Sequence, residues 1–157
     1  MPRRIDPDTI GFLISDVARL LRAEFDRRTS DAGLGLSPGE ARALSHVARA
    51  GSVRQSVLAE RMGVEAMTLS TYVDKLEARG LVERTPDPSD RRAKLVGITD
   101  AAEPVLEDII RISAALRSDM SGGLAPEKVD ELREMLKQIR ANLVEMKPEC
   151  SRKSSAA

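Results

Sequence analysis

The chain has almost no aromatic residues: Phe12, Phe25 and Tyr72 are the whole set, 2% of 157 residues, and there is no Trp. Proteins that grip RNA or single-stranded DNA stack bases on aromatic side chains, so this composition argues against a stacking sheet or single-strand channel. Cysteine is equally scarce. Cys150 stands alone, which excludes an intrachain disulfide and suits a reducing cytosol. With His46 as the only histidine, an ordinary zinc site cannot be assembled, and no metal or other cofactor is expected. Long apolar runs are missing too, since none approaches the roughly 20 residues that cross a bilayer. The opening MPRRIDPDTI is not followed by the continuous apolar stretch of a signal peptide. A cytoplasmic protein without a membrane partner is therefore expected.

Net charge is also absent, with 25 basic residues against 25 acidic ones. Any affinity for a polyanion must come from cations clustered locally. Catalytic signatures do not occur: there is no nucleophile elbow, P-loop, glycine-rich dinucleotide turn or metal motif, and a lone histidine restricts base catalysis. The chain is not expected to be an enzyme.

What is present points to a folded protein. Hydrophobic residues make up 41% and charged residues 32%, so most of the chain should fold. The length suits one compact domain, or one small module flanked by oligomerisation helices. From 8 to about 28, Ile10, Leu13, Ile14, Val17, Leu20, Leu21 and Phe25 recur at steps of three and four, the spacing of an amphipathic helix. Leu36-Ser37-Pro38-Gly39-Glu40 is a capping box with Pro at the first helical position, and predicts a second helix ending at Gly51. Ser52 with Gln55 three residues on predicts a cap for a short third helix ending near Met62-Gly63. A fourth helix over about 65–79 faces Leu69, Val73 and Leu76 inward, ends at Gly80, and leaves Thr68, Ser70, Thr71, Tyr72 and Lys75 on polar outer faces.

The period then shifts to that of strands. Residues 81–85 and 93–98 read as two short strands around a charged loop, Pro86-Asp87-Pro88-Ser89-Asp90-Arg91-Arg92. Thr99 and Asp100 can cap a fifth helix running to about Met120, which Ser121-Gly122-Gly123 breaks. From about 126 to 146, Val129, Leu132, Leu136, Ile139, Leu143 and Met146 form a heptad seam suited to packing against another helix. The polar tail over 148–157 is expected to be disordered.

Three consecutive helices, the third polar on its outer face, followed at once by an arginine-bearing hairpin, are the order of parts in a winged helix-turn-helix. The fold expected is mainly α with a small β-hairpin wing. A recognition helix fits the major groove of double-stranded DNA, and a wing reaches the adjacent minor groove or phosphates. The outer helices then serve a homodimer, which reads a two-fold symmetric site. The chain divides accordingly into an N-terminal dimerisation helix (1–35), a DNA-binding lobe (36–99) and C-terminal dimerisation helices (100–147).

These residues also carry a family resemblance. Val64-Glu65-Ala66-Met67-Thr68-Leu69, then Leu76-Glu77-Ala78-Arg79-Gly80-Leu81-Val82-Glu83-Arg84 and Asp87-Pro88-Ser89-Asp90-Arg91-Arg92, resemble the MarR family of transcriptional regulators. Ala93-Lys94, and Ile98-Thr99 leading into Ala102-Glu103-Pro104, look like its SlyA-type branch. The resemblance spans nearly the whole chain. It implies a homodimeric regulator, usually a repressor, whose N- and C-terminal helices interlock, Leu13, Val17, Leu132, Leu136, Ile139 and Leu143 among them. It further implies that Arg92 is the wing arginine, that Asp90 orients it, and that Arg91 and Lys94 contact phosphates. Thr68 and Thr71 fall at DNA-touching helix positions, with Ser70 and Tyr72 assisting; relatives often carry Pro in place of Met67 and Arg in place of Thr71, so base readout should differ. A small aromatic or phenolic effector between helices one, two and five is implied as well, with Phe12 and Phe25 the aromatic candidates.

Plainer readings stand beside these. Lys75 and Arg79 could simply pair with Asp74, Glu77 or Glu83. His46 reads as an ordinary side chain, Cys150 as a tail residue, and Met120, Met135 and Met146 as core filler. The alternative function from another class is a winged-helix module that binds protein instead of DNA.

Overall fold

The computed structural model describes residues 6–146. Along them run α1 (Ile10–Asp31), α2 (Pro38–Ala50), β1 (Ser52–Arg54), α3 (Gln55–Met62), α4 (Ala66–Ala78), β2 (Val82–Asp87), β3 (Asp90–Ile98), α5 (Glu103–Met120) and α6 (Pro126–Glu145), with a 3-10 turn at Asp100–Ala102 before α5. The architecture is mainly helical with a small antiparallel sheet, the winged helix-turn-helix arrangement that the sequence implies.

Local chemistry sets most boundaries. At the start of α2, the Ser37 hydroxyl accepts the Glu40 amide at 3.3 Å while the Glu40 carboxylate accepts the Ser37 amide at 3.1 Å, so two orphan donors satisfy each other. α3 and α4 stop by the same device. Gly63 and Gly80 adopt φ of 63° and 71°, and the amides of the next residues, Val64 and Leu81, reach back to the carbonyls of Ala59 and Leu76. This is the left-handed stop that glycine makes without steric cost.

One core lies under these elements. Leu44, Val47, Leu58, Leu69, Val73, Leu76, Val82 and Val96 are fully buried, so α2, α3, α4 and the sheet share it. The inward face expected for the fourth helix is thus the one buried.

Three expectations need correction. Ser52 does not cap a helix: Ser52–Arg54 is a strand, paired antiparallel to β3 with Val53 opposite Val96, and α3 begins without a side-chain cap. The hairpin is also longer than expected: pairing is regular from Val82↔Ile98 to Pro86↔Lys94 and, past an irregularity in which Arg91, Arg92 and Ala93 have no register partner, closes at Asp87↔Asp90 with Pro88 and Ser89 in the turn. Arg91 and Arg92 therefore lie on β3 and not in a loop. Thr99 makes no side-chain cap; its hydroxyl instead donates to the Gly80 carbonyl, tying the end of β3 to the end of α4.

The outer helices are only partly packed. The C-terminal half of α1 is fastened: Phe25 packs on the core, Asp26 pairs with Arg42, and Arg28 reaches Asp119 of α5 at 2.7 Å. Its N-terminal half is exposed from Ile10 to Leu20. α6 has no buried residue at all. Of its seam, Leu132, Leu136 and Leu143 are exposed and Ile139 is half-buried; Leu13 and Val17 of α1 are exposed too. Among the described residues no helix is long and apolar enough to cross a membrane. Cys150 and the 148–157 tail lie outside the described residues.

Candidate nucleic-acid interface

The exposed surface of the lobe is built from the first turns of α4 and from β3. Met67, Thr68 and Thr71 are exposed and Ser70 is half-buried. The Thr71 hydroxyl donates to the Met67 carbonyl at 3.1 Å, which turns it back onto its own helix.

Two residues expected on the outer face do structural work. Tyr72 is half-buried and packs on the core, its ring lying so close over Gly39 of α2 that a side chain at Gly39 would collide with it. Lys75 pairs with the buried Glu40 at 3.5 Å, the carboxylate that also caps α2. Arg79 donates to the Gly35 carbonyl at 2.5 Å. Neither Lys75 nor Arg79 pairs with Asp74, Glu77 or Glu83 as considered from the sequence. Together Tyr72, Lys75 and Arg79 seat α4 against α2 and the loop before it.

Asp74 and Glu77 are taken by Arg84 of β2, which bonds each at 2.5 Å and also reaches Gln55 of α3 at 3.2 Å. Desolvation works against the charge of this largely buried guanidinium, but the two carboxylates outweigh it and raise its pKa. The wing and the recognition helix are therefore held as one piece.

The hairpin turn has its own anchor. Asp87 is buried; its carboxylate accepts the Ser89 hydroxyl at 2.7 Å, the Ser89 amide at 2.8 Å and the Arg54 guanidinium at 2.5 Å. The Ser89 hydrogen bonds, then the Arg54 charge, hold its pKa down to about 2. Arg54 also donates to the Ser89 hydroxyl at 2.9 Å, so β1 buttresses the turn from the side. The acid expected to position a wing arginine was Asp90. It accepts the main-chain amide of Arg92 at 3.0 Å, not its guanidinium; within the hairpin the carboxylate that holds a guanidinium is that of Asp87, and its arginine is Arg54 of β1. Nothing local in the sequence signals this pair, because 33 residues separate its members.

Arg91, Arg92 and Lys94 project from β3 into solvent, and among the described residues no ion pair engages them. Within 90–94 three cations face one carboxylate, Asp90, so a neutral chain carries a locally positive strip. Arg92 and Lys94 border a concavity of about 370 Å³ whose other wall is Arg54, Gln55 and Ser56 at the start of α3. The strip and the first turns of α4 thus belong to one rigid lobe.

A second cleft, of about 440 Å³, lies among α1, α2 and α5. Leu21, Phe25, Leu116 and Met120 give it apolar walls, and Arg22, Arg42 and Arg117 give it a basic rim. Phe25 lines this cleft; Phe12 is not part of its lining and is exposed. His46 borders the cleft, with its pKa lowered by burial and then by Arg49, Arg61, Arg42 and Arg22. Among the described residues no cluster of His, Cys, Asp and Glu could hold a metal.

A helix pair closed by a tight glycine turn, with a hairpin locked to the second helix, defines a winged helix-turn-helix lobe of the kind used by transcriptional regulators. Known proteins agree. A sequence profile of the MarR family matches residues 34–93. The solved transcriptional regulator PA3341 is 37% identical, with a TM-score of 0.73 over 87% of this chain and 99% of that one. A MarR-family regulator from Rhodococcus sp. RHA1 is 29% identical, with a TM-score of 0.71 over 87% and 96%. CouR from Rhodococcus jostii RHA1, solved bound to p-coumaroyl-CoA, is 27% identical, with a TM-score of 0.68 over 87% and 95%. The chain belongs to the MarR family of transcriptional regulators.

Proposed function

We propose that the chain is a homodimeric repressor of the SlyA-type branch that binds a pseudo-palindromic operator in double-stranded DNA, in the cytoplasm. The observation that carries the reading is the lobe surface. Unpaired Arg91, Arg92 and Lys94 stand on β3, and Arg84 fixes that hairpin to α4, whose first turns are exposed. A helix placed in the major groove brings such a strip to the neighbouring backbone or minor groove. In this arrangement Thr68 and Thr71, exposed on one side of the helix, face the bases with Ser70 assisting, while Tyr72 and Lys75 help to seat the helix.

The outer helices supply the second half of the site. Among the described residues nothing buries the apolar side chains of α1 and α6 that include Leu13, Val17, Leu132, Leu136 and Leu143. A second copy covers them and sets two lobes side by side, so segments 1–35 and 100–147 dimerise while 36–99 reads DNA. The cleft among α1, α2 and α5 lies where these parts meet. Its apolar walls suit a small aromatic body and Arg22 and Arg117 suit a carboxylate or phenolate, Arg42 being paired with Asp26, and the relative CouR was solved with p-coumaroyl-CoA. A ligand there acts by changing the spacing of the lobes.

Selection of bound duplexes from a random pool, followed by footprinting, tests the reading. Recovery of a two-fold symmetric sequence with half-sites about one helical turn apart is expected. Failure to enrich any duplex would favour a lobe that binds protein.

A further inference from the structure

The polar complement of α4 is largely used inside the protein. Lys75 is held by Glu40, Asp74 and Glu77 by Arg84, Arg79 by the Gly35 carbonyl, and Thr71 by the Met67 carbonyl. Nor does the start of the helix contain the usual base-reading side chains. Residues 66–72 read Ala-Met-Thr-Leu-Ser-Thr-Tyr, with no Arg or Lys to grip guanine and no Asn or Gln to grip adenine. What this end offers outward is mostly methyl groups, from Ala66, Met67, Thr68 and Thr71, all exposed.

Met67 is the extreme case. It is 82% exposed, more than any other large apolar side chain described. It lies on α4, apart from the apolar stripes of α1 and α6 that a second copy would cover, and it takes no part in the core. A flexible thioether held in water has apolar area to bury when a partner arrives. The floor of the major groove carries one apolar feature, the 5-methyl group of thymine. The cations of the β3 strip fit the phosphates on either side of such a contact, and the N-terminal residues of a recognition helix are the ones that meet base edges.

We propose that Met67, with the methyl group of Thr68 beside it, reads a thymine 5-methyl group in each half-site and is the main specificity-determining side chain of α4. This rests on the DNA-binding reading above. Selectivity on this helix then comes from apolar contact more than from hydrogen bonding.

The test uses the full-length dimer and a duplex recovered by selection, resynthesised with deoxyuridine in place of thymine at symmetric positions, one pair at a time. Deoxyuridine removes only the methyl group. At one pair, affinity of the unaltered protein should fall by about fourfold per half-site, the effect of exposing one methyl-sized group. Met67→Ala should bind the thymine duplex more weakly and lose most of its distinction from the deoxyuridine duplex, Thr68 keeping the remainder, whereas Met67→Leu should keep the distinction. Equal binding of thymine and deoxyuridine duplexes at every position would overturn the proposal, as would a distinction that survives undiminished in Met67→Ala. Recovery of no duplex at all would instead overturn the DNA-binding reading, and this proposal with it.

Discussion

A single methyl group at Gly39 tests how the recognition helix is held. In an α-helix, Ala is ordinarily favoured over Gly by up to about 1 kcal/mol, and by less in the first turn. At Gly39 the added Cβ would lie 2.6 Å from Tyr72 Oη and 2.7 Å from Cε1, where ordinary contacts are 3.4–4 Å. Either the half-buried ring swings out of its seat or α2 and α4 move apart. Overpacking of this kind costs about 1–3 kcal/mol. After the gain in helix propensity, Gly39→Ala should destabilise by about 1–2 kcal/mol. In a Tyr72→Ala background the collision is gone, and the same change should be neutral or stabilising by a few tenths of a kcal/mol. Urea unfolding of the four variants at one fixed protomer concentration gives the coupling directly. The sign decides the matter. If Gly39→Ala stabilises the otherwise unaltered protein, Tyr72 does not pack there and the account of how α4 is seated is wrong.

Other perturbations probe the remaining parts. Asp87, held down to about 2 from 3.8 by Ser89 and Arg54, stabilises the folded state fully above pH 3.8 and less as pH falls towards 2; an acid unfolding series should show that loss, and Asp87→Asn should lack it. His46 has a lowered pKa, from burial and then from nearby arginines, so the unfolded chain takes up its proton first. Stability should therefore decline as pH drops below about 6.5, and the decline should be shallower in His46→Gln when unfolding is followed at several pH values. Leu136→Asp would place an unpaired charge in the proposed dimer seam at a cost of several kcal/mol, so sedimentation should show monomers. An intact dimer would remove α6 from the interface.

Much of this was legible in the sequence because it is local. The Ser37–Glu40 box, the inward positions Leu69, Val73 and Leu76, and the stop at Gly80 each follow from residues within a few positions of one another. The hairpin was legible in place but not in length. Asp90, Arg91 and Arg92 are exposed and lie at an irregular end of the pairing, where Asp87↔Asp90 closes the hairpin, so no alternation of burial announces this part of β3. β1 was hidden for a related reason: three residues with one buried side chain, Val53, preceded by a glycine, look like a helix cap until β3 pairs with them. The site's supports were the least visible. Arg54–Asp87, Lys75–Glu40 and Tyr72 over Gly39 join residues more than 30 positions apart, and periodicity carries no information at that range. This is why Tyr72 read as an outward-facing contact when it packs on the core, and why the pairing of Lys75, exposed as expected, with Glu40 was not foreseen.

The central claim is that two lobes neutralise DNA phosphates through the β3 strip while α4 enters the groove. The salt dependence of binding to a selected duplex tests it most directly, measured for the unaltered protein and for Arg92→Ala. Each neutralised phosphate contributes about 0.9 to the slope of log affinity against log salt. The account predicts a steep slope that falls by about 2 in Arg92→Ala, one for each wing, with binding weaker by about 1–3 kcal/mol and the dimer intact. Affinity and slope unchanged by Arg92→Ala, or binding indifferent to salt, would contradict it.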